Sequence, residues 1–198
     1  DYGAGDQFIG VVVPNQRQIA QKYKQLPLSD LQKLLASPTH EHRLTALFIL
    51  IFQFPQHPDT IYNFYLKNLN HINNWDLVDL SAPKIVGEYL KDQKDRRLLY
   101  KLVKSKNIWS RRIAVLATYP FIKNNDFVDA LKLSEILLAD GHDLIHKATG
   151  WMLREIGKID LPVLLKFLDK NYHHMPRTML RYSIEKLPQT QRQHYLVK

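Results

Sequence analysis

Apolar residues recur at helical spacing along almost the whole chain, and no segment offers a period-two alternation strong enough to compete as a strand. That periodicity restricts the fold to the all-α class. Helices are predicted from Pro14 through Tyr23, and after Ser29 as an N-cap, with Leu31, Leu34 and Leu35 on one face. Further helices are predicted at about Glu41 to Phe54, Asp59 to Leu69, Trp75 to Ser81, Pro83 to Leu90, Asp95 to Ser105 and Ile108 to Tyr119. The remainder are Asp126 to Ala139, Asp143 to Lys158, Leu161 to Lys170 and Pro176 to Lys186. The run from Phe8 to Val13 is β-branched but short, and Pro14 closes it, so it reads as an extended lead-in. Leu44 to Phe54 is about half of the ~18 to 20 apolar residues a membrane span requires, which makes it a buried helix.

Three segments place a cation just ahead of a small and apolar helical run: Glu41-His-Arg43-Leu-Thr-Ala-Leu, Ser110-Arg-Arg112-Ile-Ala-Val-Leu and Ile145-His-Lys147-Ala-Thr-Gly-Trp151. Arg43 and Arg112 are 69 residues apart, and Arg112 and Lys147 are 35 apart, so one spacing is roughly double the other. Stacked helix pairs repeat at comparable periods, slightly below the ~40 to 47 residues of HEAT arrays. Such repeats bury their faces against neighbours and curve around a concave surface. A cation at a helix N-terminus opposes the helix dipole and so calls for a separate reason. The expectation is one HEAT-like helical array over residues 1–198, with Arg43, Arg112 and Lys147 along a basic groove.

Composition supports a polyanionic partner. Lys and Arg outnumber Asp and Glu by 28 to 19, a formal charge of +9, and nucleic acid is the first candidate. With no cysteine, disulfides and thiolate chemistry are excluded, which fits a reducing cytoplasm. The start, Asp1-Tyr-Gly-Ala-Gly-Asp6, has neither the basic nor the apolar region of a signal peptide. Gly3, Gly5 and Gly10 have the wrong spacing for a dinucleotide fingerprint, and neither a phosphate loop nor a nucleophile elbow occurs, so no nucleotide cofactor is expected. His142 and His146 lie one turn apart without further ligands and His173 and His174 diverge, so no metal is expected either.

Trp75 and Asp79 are four apart and share a helix face. Each candidate also has a purely structural explanation. Asn73 or Asn74 can cap the helix, with Asp76 and Asp79 complementing its dipole and Trp75 anchoring the core. Trp151 sits among Ala148, Met152 and Ile156, and Arg112 can pair with a carboxylate on the next helix.

Taken together, Asn74-Trp-Asp-Leu-Val-Asp79, Ile108-Trp-Ser-Arg-Arg112 and Lys147-Ala-Thr-Gly-Trp151-Met-Leu-Arg-Glu155 resemble the DNA alkylation-repair family of HEAT-like-repeat glycosylases, the AlkD type. Phe8 to Pro14 and Met175 to Tyr182 extend the likeness over nearly the whole chain in consistent order. The resemblance implies a monomer that hydrolyses the N-glycosidic bond of cationic alkylated purines in duplex DNA, working from the backbone side without a base pocket. It further implies that Trp75 and Trp151 pack against the deoxyribose and backbone, that Asp79 faces the anomeric carbon and that Arg112 holds a phosphate. Members of the family usually begin with one or two further helices, whereas here the first clear helix starts near Pro14. A non-catalytic array that binds DNA or a partner protein on its concave face is the alternative.

Overall fold

A computed structural model describes residues 5–197; Gly3, one of the glycines considered above, lies outside them. The described residues are helical, with no strand beyond a single bridge between Gln7 and Thr39. They form two compact units, one ending at Tyr89 and the other beginning at Leu90.

The first unit contains α1 (Val13–Lys22), α2 (Leu28–Leu35), α3 (His40–Gln53), α4 (Pro58–Lys67) and α5 (Trp75–Ser81). Prolines stand in the opening turns of α1 and α4, where their missing N–H costs nothing. Helix α2 starts earlier than predicted: Pro27 takes the N-cap position, and Ser29 lies inside the helix. Helix α3 is the core of the unit, with Leu44 and the run from Ala46 to Leu50 all buried. An apolar run of that kind leaves no solvated face, and α1, α2, α4 and α5 all pack on α3. The segment ahead of α1 is extended as predicted at Val12, and Gln7 bonds to both Pro38 and His40 of the α3 approach.

After α5 the chain does not start a fresh α-helix at Pro83. Residues Pro83–Gly87 form a π-helical turn, closed by the Gly87 N–H donating to Ala82 over 2.9 Å, and run into the short α6 (Glu88–Leu90). Pro83 has no N–H to give the Asp79 carbonyl one turn back, so the ordinary ladder cannot pass through it.

The second unit holds α7 (Arg97–Leu102), α8 (Ile108–Leu116), α9 (Tyr119–Lys123), α10 (Val128–Ile136), α11 (Asp143–Ile159), α12 (Leu161–Asn171), α13 (Arg177–Ser183) and α14 (Gln189–Leu196). The helix predicted to end at Tyr119 stops at Leu116, and Pro120 sits in the first turn of the separate α9. Helix α14 escapes sequence reading because it buries little more than Tyr195, whose hydroxyl donates to Asp169 over 2.7 Å.

Helix α11 is central here, packed by α8, α9, α10, α12 and α13. Gly150 permits the α11–α13 approach: a Cβ there would stand 2.5 Å from both the Met179 carbonyl oxygen and the Tyr182 Cβ. At Gly157 the obstacle is the Leu164 side chain, chiefly a methyl at its flexible end. Alanine normally gains up to ~1 kcal/mol over glycine inside a helix. Gly150→Ala should reverse that sign and destabilise by about 1–3 kcal/mol through overpacking, with Gly157→Ala costing distinctly less. Denaturant midpoints of the two variants check this; equal effects would show that α13 yields freely.

Candidate functional site

The residues singled out by sequence divide between the units. In the first, Asn74 caps α5, its Oδ1 accepting the Trp75 N–H over 2.7 Å. Leu77, Val78 and Ser81 form the buried face of α5, and Ser81 is tied to the Tyr65 hydroxyl of α4 at 2.9 Å. Trp75 and Asp79 therefore lie off that face. Trp75 is 45% exposed, and Asp79 is half-buried. Large aromatic rings are seldom left this wet by packing alone.

What fixes α5 is a network of buried charges that the sequence reading did not identify. Asp6 accepts from the Asn74 amide at 2.8 Å, meets His40 Nδ1 at 2.8 Å and pairs with Arg43 at 2.5 Å. The other ring nitrogen of His40 meets Asp76 at 2.7 Å, and Phe8 stacks on the imidazole with centroids 4.8 Å apart. Arg43 also donates to the Asn73 side chain. The structure thus gives Arg43 a different use from the expected phosphate contact: its side chain is 6% exposed and ion-paired, joining α3 to the segments ahead of α1 and α5. Glu41, next to His40, receives the N–H groups of Ile9 and Gly10 and holds the lead-in down. A signal existed for both, since His40, Glu41 and Arg43 are polar residues placed just ahead of the most apolar run in the chain.

In the second unit Asn107 caps α8, its Oδ1 accepting from Trp109 at 2.8 Å and Ser110 at 3.3 Å. Arg111 pairs with Asp140 at 2.6 Å and donates to the Ser105 carbonyl at 2.9 Å, which ties the α8 approach to the loop before α11. Arg112 is buried and donates Nη1 to the Leu144 carbonyl in the first turn of α11. This partner is a backbone oxygen on α11, not a side chain of α9, the helix next in sequence. Lys147 is partly exposed and pairs with Asp143 at 2.8 Å. His142 and His146, weighed above as metal ligands, serve this helix start: His142 Nδ1 accepts the Leu144 N–H at 3.2 Å, and His146 Nε2 donates to the Asp140 carbonyl at 2.5 Å. Among the described residues, no cluster of three or more potential ligands could hold a metal.

Trp151 is half-buried, its ring tilted 44° to that of Tyr119 at 6.3 Å. Its indole N–H donates to Glu155 Oε1 at 3.1 Å. Glu155 is itself buried and neutralised by Lys158 at 2.6 Å, with Lys123 at 3.8 Å. Glu155 orients the indole, a role that the four-residue spacing from Trp151 makes readable in hindsight.

The described residues are all-helical, and so is the fold of the known proteins that this chain is similar to. The family model for DNA alkylation repair enzymes matches residues 2–187, and the chain belongs to that family. Solved structures agree on the fold. A predicted DNA alkylation repair enzyme from Enterococcus faecalis is similar with a TM-score of 0.73 at 15% identity, over 93% of this chain and 90% of that one. AlkD2 from Streptococcus mutans gives 0.63 at 22% identity, over 94% and 93%, and smu.31 from the same species gives 0.60 at 23%, over 86% and 89%. No curated protein matches.

The network beneath α5 should report on pH. Burial pushes the His40 imidazole down, but its hydrogen bonds to Asp76 and Asp6 outweigh this and raise it above the ordinary 6.5. Burial pushes the Asp6 carboxyl up, and Asn74, Arg43 and His40 together hold it below the ordinary 3.8. The His40 contribution is full below 6.5 and is lost as pH rises through the folded value; that of Asp6 is full above 3.8 and is lost on acidification. The stability advantage of wild type over His40→Gln should therefore be largest below pH 6.5 and shrink as the pH is raised above it, through the raised folded value. A difference in denaturant midpoint that stays constant over that range would contradict the assignment.

Proposed function

We propose that this chain is a DNA glycosylase that hydrolyses the N-glycosidic bond of cationic alkylated purines, N3- or N7-alkyl adducts, in duplex DNA, without drawing the base into a pocket. Family membership supports the repair role. The observation that carries the reading furthest is Trp75, an indole left 45% exposed one helical turn from the half-buried Asp79.

The chemistry suits these residue types. An alkylated purine already bears positive charge, so the breaking C1′–N bond returns its electron pair to the ring and the base leaves neutral. The sugar then carries oxocarbenium character. The Asp79 carboxylate stabilises that charge and orients the water whose oxygen bonds to C1′ as its proton passes, by way of the carboxylate, to solvent. Indole faces attract cationic character, so Trp75 and Trp151 would favour the charged sugar over its neutral ground state. Glu155 would hold the Trp151 ring in register. Lys147, partly exposed, would contact the DNA backbone, and Arg112, buried and bonded to the Leu144 carbonyl, would reach a phosphate only by rearranging its present contacts. Arg43, committed to Asp6, is not assigned to DNA.

Asp79→Asn should keep DNA affinity and lower excision from methylated duplex by ~10²-fold or more, the loss typical of a preorganised electrostatic group. Undiminished release would remove Asp79 from the chemistry. DNA affinity should fall with salt at a slope of about 0.9 per neutralised phosphate, and Lys147→Gln should lower that slope by about one. A salt-insensitive constant would contradict phosphate gripping. Tight, salt-dependent binding with no release of any alkylated base would instead favour the non-catalytic array.

A further inference from the structure

One opening in the first unit takes no part in that chemistry. A cavity of about 450 Å3 lies beneath the lead-in, lined by Val11, Ile19, Leu26, Leu34 and Ile49 with Gln16 among them. That volume falls within the ~300 to 1,000 Å3 of small-molecule sites, which combine an apolar lining with a few placed polar groups.

Here the placed group is Gln16, which is only 3% exposed. Its Nε2 donates to the Val11 carbonyl at 2.6 Å, and since that carbonyl can only accept, the amide orientation is fixed. The Oε1 has no donor in the protein, an expensive state for a buried acceptor. Tyr23 and Thr45 add a hydroxyl each to the lining, and its two ionisable groups besides Tyr23 are already engaged. Glu41 is committed to the N–H groups of Ile9 and Gly10, and His42 is exposed with its Nδ1 on the Ser37 hydroxyl at 2.9 Å. A carboxylate ligand would face the negative charge of Glu41.

We propose that this cavity binds a neutral medium-chain amphiphile, an alkyl amide or alcohol whose N–H or O–H donates to Gln16 Oε1 while its tail fills the apolar lining. The proposal is independent of glycosylase activity. It is tested by titrating the purified chain with octanamide and with octanoate, reading calorimetry and amide NMR shifts. Octanamide should bind saturably and perturb α1 and α3, with octanoate at least tenfold weaker because of Glu41. Gln16→Leu should weaken octanamide by about five- to tenfold, the range expected for one lost hydrogen bond. Thr45→Phe, which inserts a ring from a half-exposed position on the lining, should abolish binding with helicity unchanged. No saturable octanamide binding, equal octanoate binding, or indifference to both substitutions would overturn the proposal.

Discussion

The recurring constraint in this protein is a cation on one helix that finds its partner some thirty residues downstream. Arg43 reaches Asn73 across 30 residues, Arg96 reaches Asp126 and Asp129 across 30 and 33, and Arg111 reaches Asp140 across 29. Arg112 reaches the Leu144 carbonyl across 32, and Arg154 reaches Glu185 across 31. Each bond joins one helix, or in the case of Arg96 its N-cap, to a segment at or beside a later one. A guanidinium out of water is tolerable only when paired, and stripping a partner from a buried pair typically costs ~3–5 kcal/mol. Where these arginines are buried, the register between successive helices therefore depends on these contacts being made.

That constraint explains why the cations were visible in the sequence and why their role was harder to read. Arg43 and Arg112 follow helix starts 69 residues apart, roughly twice the reach from helix to helix. A phosphate-facing cation and a cation that staples two helices occupy the same sequence position. Only the partner tells them apart, and Asp6, far upstream of Arg43, gives no local signal. The same limit applies to His40, whose two carboxylates come from the lead-in and from α5.

Elements defined by local chemistry were legible. Helix α5 has the predicted bounds because Asn74 caps it, and α3 was recognisable as buried because its apolar run leaves no polar face. The breaks were less legible. Pro120 divides a helix that periodicity alone joins, and Pro83 opens a π-helical turn instead of an ordinary first turn. Of the candidate site, the shared face of Trp75 and Asp79 followed from spacing. The support beneath α5, from Asp6, His40 and Asn74, and, within the second unit, the hold of Glu155 on Trp151, required knowing which side chains meet.

The proposed chemistry places its main demand on the leaving group, since a carboxylate and two indoles stabilise a developing cation but supply no acid to protonate a neutral base. The most direct measurement compares base release from duplexes bearing 3-methyladenine or 7-methylguanine with release from otherwise identical duplexes bearing uracil or hypoxanthine, under single-turnover conditions. The account predicts release of the cationic bases and little or none of the neutral ones. Equal release of both classes would contradict it, because catalysis would then have to come from protonation or from a base pocket.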